Sequence, residues 1–466
     1  MSRSESNIRR QVIAGVELKA GKPGHLADFH SDMLAAGQQL VDALKPFSPR
    51  LINAFAFPPA EAGAPVNGVV VLQLGDGSAA ELMAAEMPPG VRYWERNAPM
   101  ALCGWNDPLF AADQWGLKRI GALEGWNTPV DSKVAIAIID SGIMWRWDPT
   151  GNGRVAGVHE DLDGRMTGEQ FPPRFWRSAE DPPMDGRDDD SSGAVDDFNG
   201  GRLIEMDRDG LIGDENGHGT MLAGLMFATP DNAKGLASPL TRYWPNITMM
   251  PIKFFDADSR PTPDNAAMAI AYAVDQGARV INASWHVGPG QHGLKVMRDA
   301  IAHARQHKVL LVAAAGNDGS NNDDFPTYPA NLCREFDNVL SVHATDRRDQ
   351  KTSFSNYGRT TVHFGAPGLR IMTTGRYVAN RPIYRAFSGT SASAAFGSLA
   401  AALVMAAEEA RSGRRLTPRQ VIAHLLDTAD RFPALRACSM SGKRLNMEHA
   451  VRTPVPWVGG PPQGPP

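Results

Sequence analysis

Between residues 133 and 344 the chain alternates short apolar runs with segments of helical period, and this alternation restricts the fold more than any other feature. KVAIAIID (133–140), MMPIKFF (249–255), RVINAS (279–284), VLLVAAA (309–315) and NVLSVHA (338–344) read as strands, with PDNAAMAIAYAVDQ and LKVMRDAIAHARQH as helices between them. The first run, KVAIAIID, is continuous and β-branched rather than alternating, as in a strand buried on both faces. Strand and helix in turn predict an α/β domain, a parallel sheet flanked by helices on both faces. Residues 391–411, rich in Ala and with Gly397 among them, read as a further long helix suited to close packing.

The remainder divides around this region. Residues 1–103 differ in texture: a helical pattern (26–44), a Pro/Ala/Gly break, the apolar run VVVLQL, a short helix-like ELMAAEM and VRYW predict a small α+β module. Residues 104–452 form the main domain, and 453–466, rich in Pro and Gly, an exposed tail. The interval 144–216 has little periodicity and much Asp, Gly and Pro, which predicts surface loops inserted after the first sheet strand.

Composition narrows the function classes. In 466 residues, 42% hydrophobic and 21% charged, 47 Lys+Arg stand against 51 Asp+Glu, a net charge of −4. That excludes a disordered chain and does not suggest the basic face of a nucleic-acid binder. Three scattered cysteines support neither a disulfide framework nor a Cys-type zinc site. No apolar stretch reads as a membrane span, and no N-terminal run has signal-peptide character, so the expected compartment is the cytoplasm, with non-classical export as the alternative.

In open α/β sheets, chemistry sits beyond the carboxyl ends of the strands. Asp140 ends the first buried strand and is followed by Ser-Gly; His218 lies in NGHGTMLAGL and Ser391 in FSGTSASAAF, each at a helix start. Singly, these are a turn residue, a structural histidine and an N-cap. Together, the order Asp, His, Ser in the contexts D-S-G, H-G-T and G-T-S-x-S is one of the known chain orders of a catalytic triad. With RVINASW, VLLVAAAGN, TYPA, TSFSNYG, FGAPG and FSGTSASAA following in order, the chain resembles the subtilisin-like serine proteases, or subtilases, over about residues 105–452.

The resemblance implies Ser391 as nucleophile, His218 as general base and then acid, and Asp140 as the carboxylate that orients the imidazole. It implies Asn317 as an oxyanion donor. Ala283, Ser284 and Trp285 on one strand and Ala314, Ala315 and Gly316 on the next are implied as substrate walls, to which a peptide could add as an extra strand. The substrate is then a protein or peptide, and the chemistry needs no cofactor. The pattern departs from the family at His286, where glycine is usual, and at Ala392, Ala395 and Phe396, where Met, Pro and His are usual. None of these removes a triad atom.

Two further expectations concern regulation and stability. Asp188, Asp190, Ser192 and Asp196 alternate around Gly193 as oxygen ligands do in a calcium loop, with Asn199 in place of the closing Glu, so the loop is a candidate for structural calcium, the plain alternative being an Asp-rich solvated loop. The N-terminal module resembles an inhibitor-type propeptide, a folding chaperone and intramolecular inhibitor with a self-cleavage point near residues 97–106; the plain alternative is an accessory domain. Two other function classes were weighed. A silent peptide-binding scaffold is disfavoured by the full set of catalytic residue types. An α/β-hydrolase is disfavoured by the absence of G-x-S-x-G and by the residue order.

Overall fold

The structure is a computed structural model. It describes residues 11–18, 35, 38–45, 50–57, 66–73, 91–96, 107–122, 130, 132–144, 146–147, 155–156, 159–163, 175, 177–178, 188–189, 200–202, 213–230, 232, 234–243, 245–255, 262–287, 294–378 and 381–456. The chain divides into two compact units, Met1–Gly104 and Trp105–Pro466.

The first unit holds a four-stranded antiparallel sheet of β1 (Gln11–Leu18), β2 (Arg50–Phe57), β3 (Val66–Gln73) and β4 (Val91–Arg96), in the order β2-β3-β1-β4. The sequence reading identified the last two strands and missed the first two, whose runs are interrupted by small or polar residues. Of the helix expected over 26–44, residues 38–43 are described and helical. The ELMAAEM helix lies outside the described residues.

In the second unit the five expected strands, joined by two that were not expected, form one sheet. The expected ones are β5 (Val134–Asp140), β7 (Ile247–Lys253), β8 (Val280–Ala283), β9 (Leu310–Ala314) and β10 (Val339–Thr345); the added ones are β6 (Gly201–Arg202) and β11 (Phe364–Pro367). A β-ribbon, β12 (Ile371–Val378) with β13 (Arg381–Phe387), pairs separately, and β14 (Asp430–Arg431) and β15 (Lys443–Arg444) complete the sheet edge. The spatial order is β14-β15-β11-β10-β9-β8-β5-β7-β6. All pairs are parallel except β14 with β15.

The β5 sequence shows why the sheet must be covered twice. Val134, Ile136 and Ile138 enter one hydrophobic cluster, while Ala135, Ala137 and Ile139 enter the other. Helices α1 (His218–Phe227), α4 (Thr390–Ser412) and α5 (Pro418–Thr428) serve the first cluster. Helices α2 (Pro263–Asp275) and α3 (Leu294–Gln306) serve the second. Each buried methylene contributes roughly 0.8 kcal/mol, so register is held by both faces at once.

Three expectations need correction. The 23-residue α4 is long and apolar enough to cross a membrane by composition, contrary to the reading that no stretch qualifies; its apolar window is fully buried in the protein, where it packs on β8–β11 and beneath α1 and α5. The interval 144–216 is not only surface loop: His159 and Asp161 are 0% exposed, Phe175 is buried, and β6 joins the sheet. The β12–β13 ribbon was not anticipated, because its apolar residues are interspersed with Thr, Arg and Gly in no regular alternation; its strands pair antiparallel, and Thr374 Oγ1 donates to the Thr220 carbonyl at 2.7 Å and Thr373 Oγ1 to that of Met221, fastening it to α1. Of the tail, residues through 456 are described.

Candidate active site

The parallel sheet delivers Asp140, Ser284 and Asn317 to one edge, and α1 and α4 begin there with His218 and close to Ser391. Asp140 is the last residue of β5 and 0% exposed. His218 Nδ1 donates to it in a forked contact, 2.8 Å to Oδ1 and 3.0 Å to Oδ2. The Ser141 backbone N–H also donates to Oδ1, at 2.8 Å. This fixes the tautomer that leaves His218 Nε2 free for a proton. Burial disfavours the imidazolium, but the Asp140 charge and hydrogen bond, with Asp214 adding to them, outweigh it and raise the His218 pKa above 6.5.

A second buried carboxylate builds the turn that presents His218. Asp214 Oδ1 accepts from Ser141 Oγ (2.9 Å) and the Gly217 N–H (2.6 Å), and Oδ2 accepts from the Thr220 N–H (2.9 Å) and hydroxyl (2.6 Å). Lys253, which is opposite Asp140 in the sheet register, reaches the Gly213 carbonyl and the Glu215 carboxylate. Gly219 sits so close to β5's end that an added Cβ would lie 2.0 Å from the Gly142 carbonyl oxygen. Phe387 meets the His218 ring edge-on, 5.5 Å between centroids.

Ser391 is the second residue of α4 and 4% exposed. Its hydroxyl donates to the Ser284 carbonyl at 3.0 Å rather than to His218. The Ser391 carbonyl accepts from Ser284 Oγ at 3.1 Å, the end of a bonded series from Ser398 through Asn282 to Ser284. Asn317 follows β9 and is exposed; its Oδ1 accepts from the Thr390 N–H (2.9 Å) and hydroxyl (3.0 Å), which orients the amide so that Nδ2 is left to donate elsewhere. The Ser391 N–H lies in the first turn of α4, where amides lack intrahelical acceptors.

The expected walls divide. Ala283 and Ser284 stand at the β8 end as read, but the Trp285 side chain is 7% exposed, packs on Phe254 at 5.1 Å and donates to the Ile139 carbonyl at 3.0 Å, so it is core. Ala314 is 2% exposed in β9. Ala315 has its N–H bound to Val342 and its carbonyl to Asn322; the Gly316 N–H goes to Thr390 and its carbonyl to Asn356. Both N–H groups are committed within the protein, and each carbonyl already accepts one internal hydrogen bond. His286 is partly exposed, with Nδ1 buried and without a partner among the described residues. Asp188 is described and partly exposed, whereas Asp190, Ser192 and Asp196 lie outside the described residues. Among the described residues no group of three or more His, Cys, Asp or Glu could hold a metal ion.

Sequence reasoning missed Ser141, Asp214, Thr390, Asn356 and Phe387. Ser141 and Thr390 stood inside motifs already quoted, adjacent to the residues they support. Asp214 carried no signal beyond lying four residues before His218.

Comparison with known proteins follows the geometry. The family model described as the subtilase family matches residues 131–450. Thermitase of Thermoactinomyces vulgaris is 30% identical over 286 residues, 61% of this chain and 80% of thermitase. The thermophilic serine proteinase of Bacillus sp. (strain AK1) is 30% identical over 324 residues, 69% of this chain and 64% of that protein. A solved protease from Pseudoalteromonas arctica superposes with a TM-score of 0.55 at 22% identity, over 75% of this chain and 98% of that one. The epidermin leader peptide processing serine protease of Staphylococcus aureus gives 0.52 at 20% identity, over 95% and 98%. At those identities the two structures bear on the fold alone. The family match spans most of the second unit, and with the parallel sheet it leads to one conclusion: this chain belongs to the subtilase family of serine proteases.

Proposed function

We propose that the protein is a serine endopeptidase that cleaves peptide bonds through an acyl-enzyme, with Ser391 as nucleophile, His218 as base and acid, and Asp140 as the orienting carboxylate. The observation that carries the reading is the buried Asp140–His218 pair at 2.8 Å, held at the sheet edge where α4 brings Ser391. A serine hydroxyl is a weak nucleophile at neutral pH and needs a base whose tautomer is fixed. Attack requires the Ser391 hydroxyl to leave the Ser284 carbonyl and turn to His218 Nε2, so that its proton passes there as the Oγ–C bond forms. The developing oxyanion then takes hydrogen bonds from Asn317 Nδ2 and the Ser391 N–H, and His218 returns the proton to the leaving amine.

The same hydroxyl contact, to Ser284 and away from His218, favours a second reading: a catalytically silent subtilase fold that binds peptides. Labelling with a serine-reactive fluorophosphonate, followed by intact mass and peptide mapping, separates the two. Active wild type takes a single adduct on Ser391 and Ser391→Ala takes none; no adduct on wild type, even after limited proteolysis of the first hundred residues, sinks the endopeptidase reading.

We further propose that the first unit is a self-cleaved inhibitory propeptide. What supports this is a separate compact unit immediately preceding the protease domain. Wild type should shorten near residues 97–106 while Ser391→Ala stays full length; equal masses would count against it.

A further inference from the structure

We propose that Asn356, far from the triad in sequence and 0% exposed, is the positioning residue of the oxyanion site: it clamps the backbone on both sides of Asn317. The inference rests on the endopeptidase reading. On one side, the Asn356 N–H donates to the Gly316 carbonyl at 2.9 Å. On the other, Asn356 Oδ1 accepts from the Asp318 N–H at 2.8 Å and the Ser320 N–H at 3.0 Å. Its Nδ2 donates to Asn322 Oδ1 (3.1 Å) and Thr327 Oγ1 (3.3 Å), and Asn322 in turn holds the Ala315 carbonyl at 2.8 Å. The side-chain amide therefore spends its hydrogen-bonding groups on the segment 318–327, while the main-chain N–H, which survives in Asn356→Ala, holds Gly316.

Gly316 shows how close the clamp lies. It has φ +111°, and a Cβ there would stand 2.4 Å from Asn356 Nδ2. Asn317 itself is exposed, and among the described residues its side chain is tied through Oδ1, to Thr390. The position of Nδ2 is thus set by two constraints, Thr390 on the amide and Asn356 on the backbone. The site gains from such rigidity because a donor aimed at a developing oxyanion acts only over a narrow range of distance, and a displacement of about 1 Å can cost about 100-fold in rate.

The test is a double-mutant cycle on the full-length chain with a chromogenic peptide anilide: wild type, Asn356→Ala, Asn317→Ala and the double variant, each checked for folding by thermal melt. Positioning through Asn317 predicts a kcat for Asn356→Ala roughly 10- to 100-fold lower with KM nearly unchanged, and less than about 3-fold further loss when Asn317 is already alanine. Where Asn356→Ala does not fold, Asn356→Ser takes its place in the same cycle. An unchanged kcat in a folded variant overturns the proposal, as does a loss equally large in the Asn317→Ala background, which would mark a general structural role. Absence of turnover in wild type together with absence of fluorophosphonate labelling would instead sink the endopeptidase reading on which the proposal stands.

Discussion

Replacing His343 by Met should flatten the acid limb of this protein's stability. His343 is 0% exposed in β10, and neither ring nitrogen has a hydrogen-bond partner among the described residues. Ser341 and Thr345, at i−2 and i+2 on the same strand face, likewise carry unpartnered hydroxyls. Burial lowers the His343 pKa from 6.5 to about 4, outweighing the Ala344 backbone, which acts the other way, with the neighbouring Lys351 adding to the lowering. The folded state thus refuses a proton that the unfolded chain accepts, and stability is lost as pH falls from 6.5 toward 4. From a folded pKa of about 4 and an unfolded one of 6.5, the loss between pH 7 and pH 4.5 comes to about 2 kcal/mol for this residue alone.

Met has similar bulk, is neutral at every pH and removes two unpaired nitrogens, so stability at pH 7 should hold or rise. The assay is urea unfolding of the Ser391→Ala protein with and without His343→Met, at pH 7 and 4.5, where the substitution should diminish the acid loss by about 2 kcal/mol. Buried His159 and His363, also lowered to about 4, leave a residual slope in both proteins. Asp161, raised to about 7 chiefly by burial, works the other way, its carboxyl regaining stability on acidification. An acid loss that is the same with and without His343 would refute the reasoning.

Other outcomes follow from the site. The raised His218 pKa places the rising limb of kcat/KM against pH above 6.5, since the base must be neutral; a midpoint below 6.5 would contradict the Asp140 assignment, and Asp140→Asn should lower kcat by about 10⁴. Gly219→Ala, whose Cβ would meet the Gly142 carbonyl, should cost about 2–3 kcal/mol in urea unfolding and abolish Ser391 labelling; retention of both would show that α1 can shift away from β5 freely. If the 188–196 loop binds calcium, EDTA should lower the melting temperature by several degrees and added calcium restore it, and no change in either direction removes that site.

The sheet was legible because its strands are buried on both faces: β5, β7, β8, β9 and β10 each stand as an apolar run bounded by turn residues, and a run of that kind has few alternatives. The ribbon β12–β13 was not, since its apolar residues follow no regular alternation and its Thr hydroxyls reach α1. Likewise Trp285 read as a wall and proved to be core, because the direction of a side chain at a strand end depends on what packs there.

For the site, the amino-acid sequence alone determined the residue types, their order and their placement at strand ends and helix starts, which pointed to Asp140, His218 and Ser391 as candidates, with Asn317 added by the resemblance to the subtilases. Only the tertiary structure decided what holds them. The Asp214 carboxylate reaches Ser141, 73 positions away, the Asn356 amide bonds groups 29–38 positions away, and Thr390 bonds across 73–74 positions. The Ser391 hydroxyl turns to a carbonyl 107 residues before it. Local pattern carries no record of such distances, because a hydrogen bond is specified by where folding brings two groups and not by their separation along the chain.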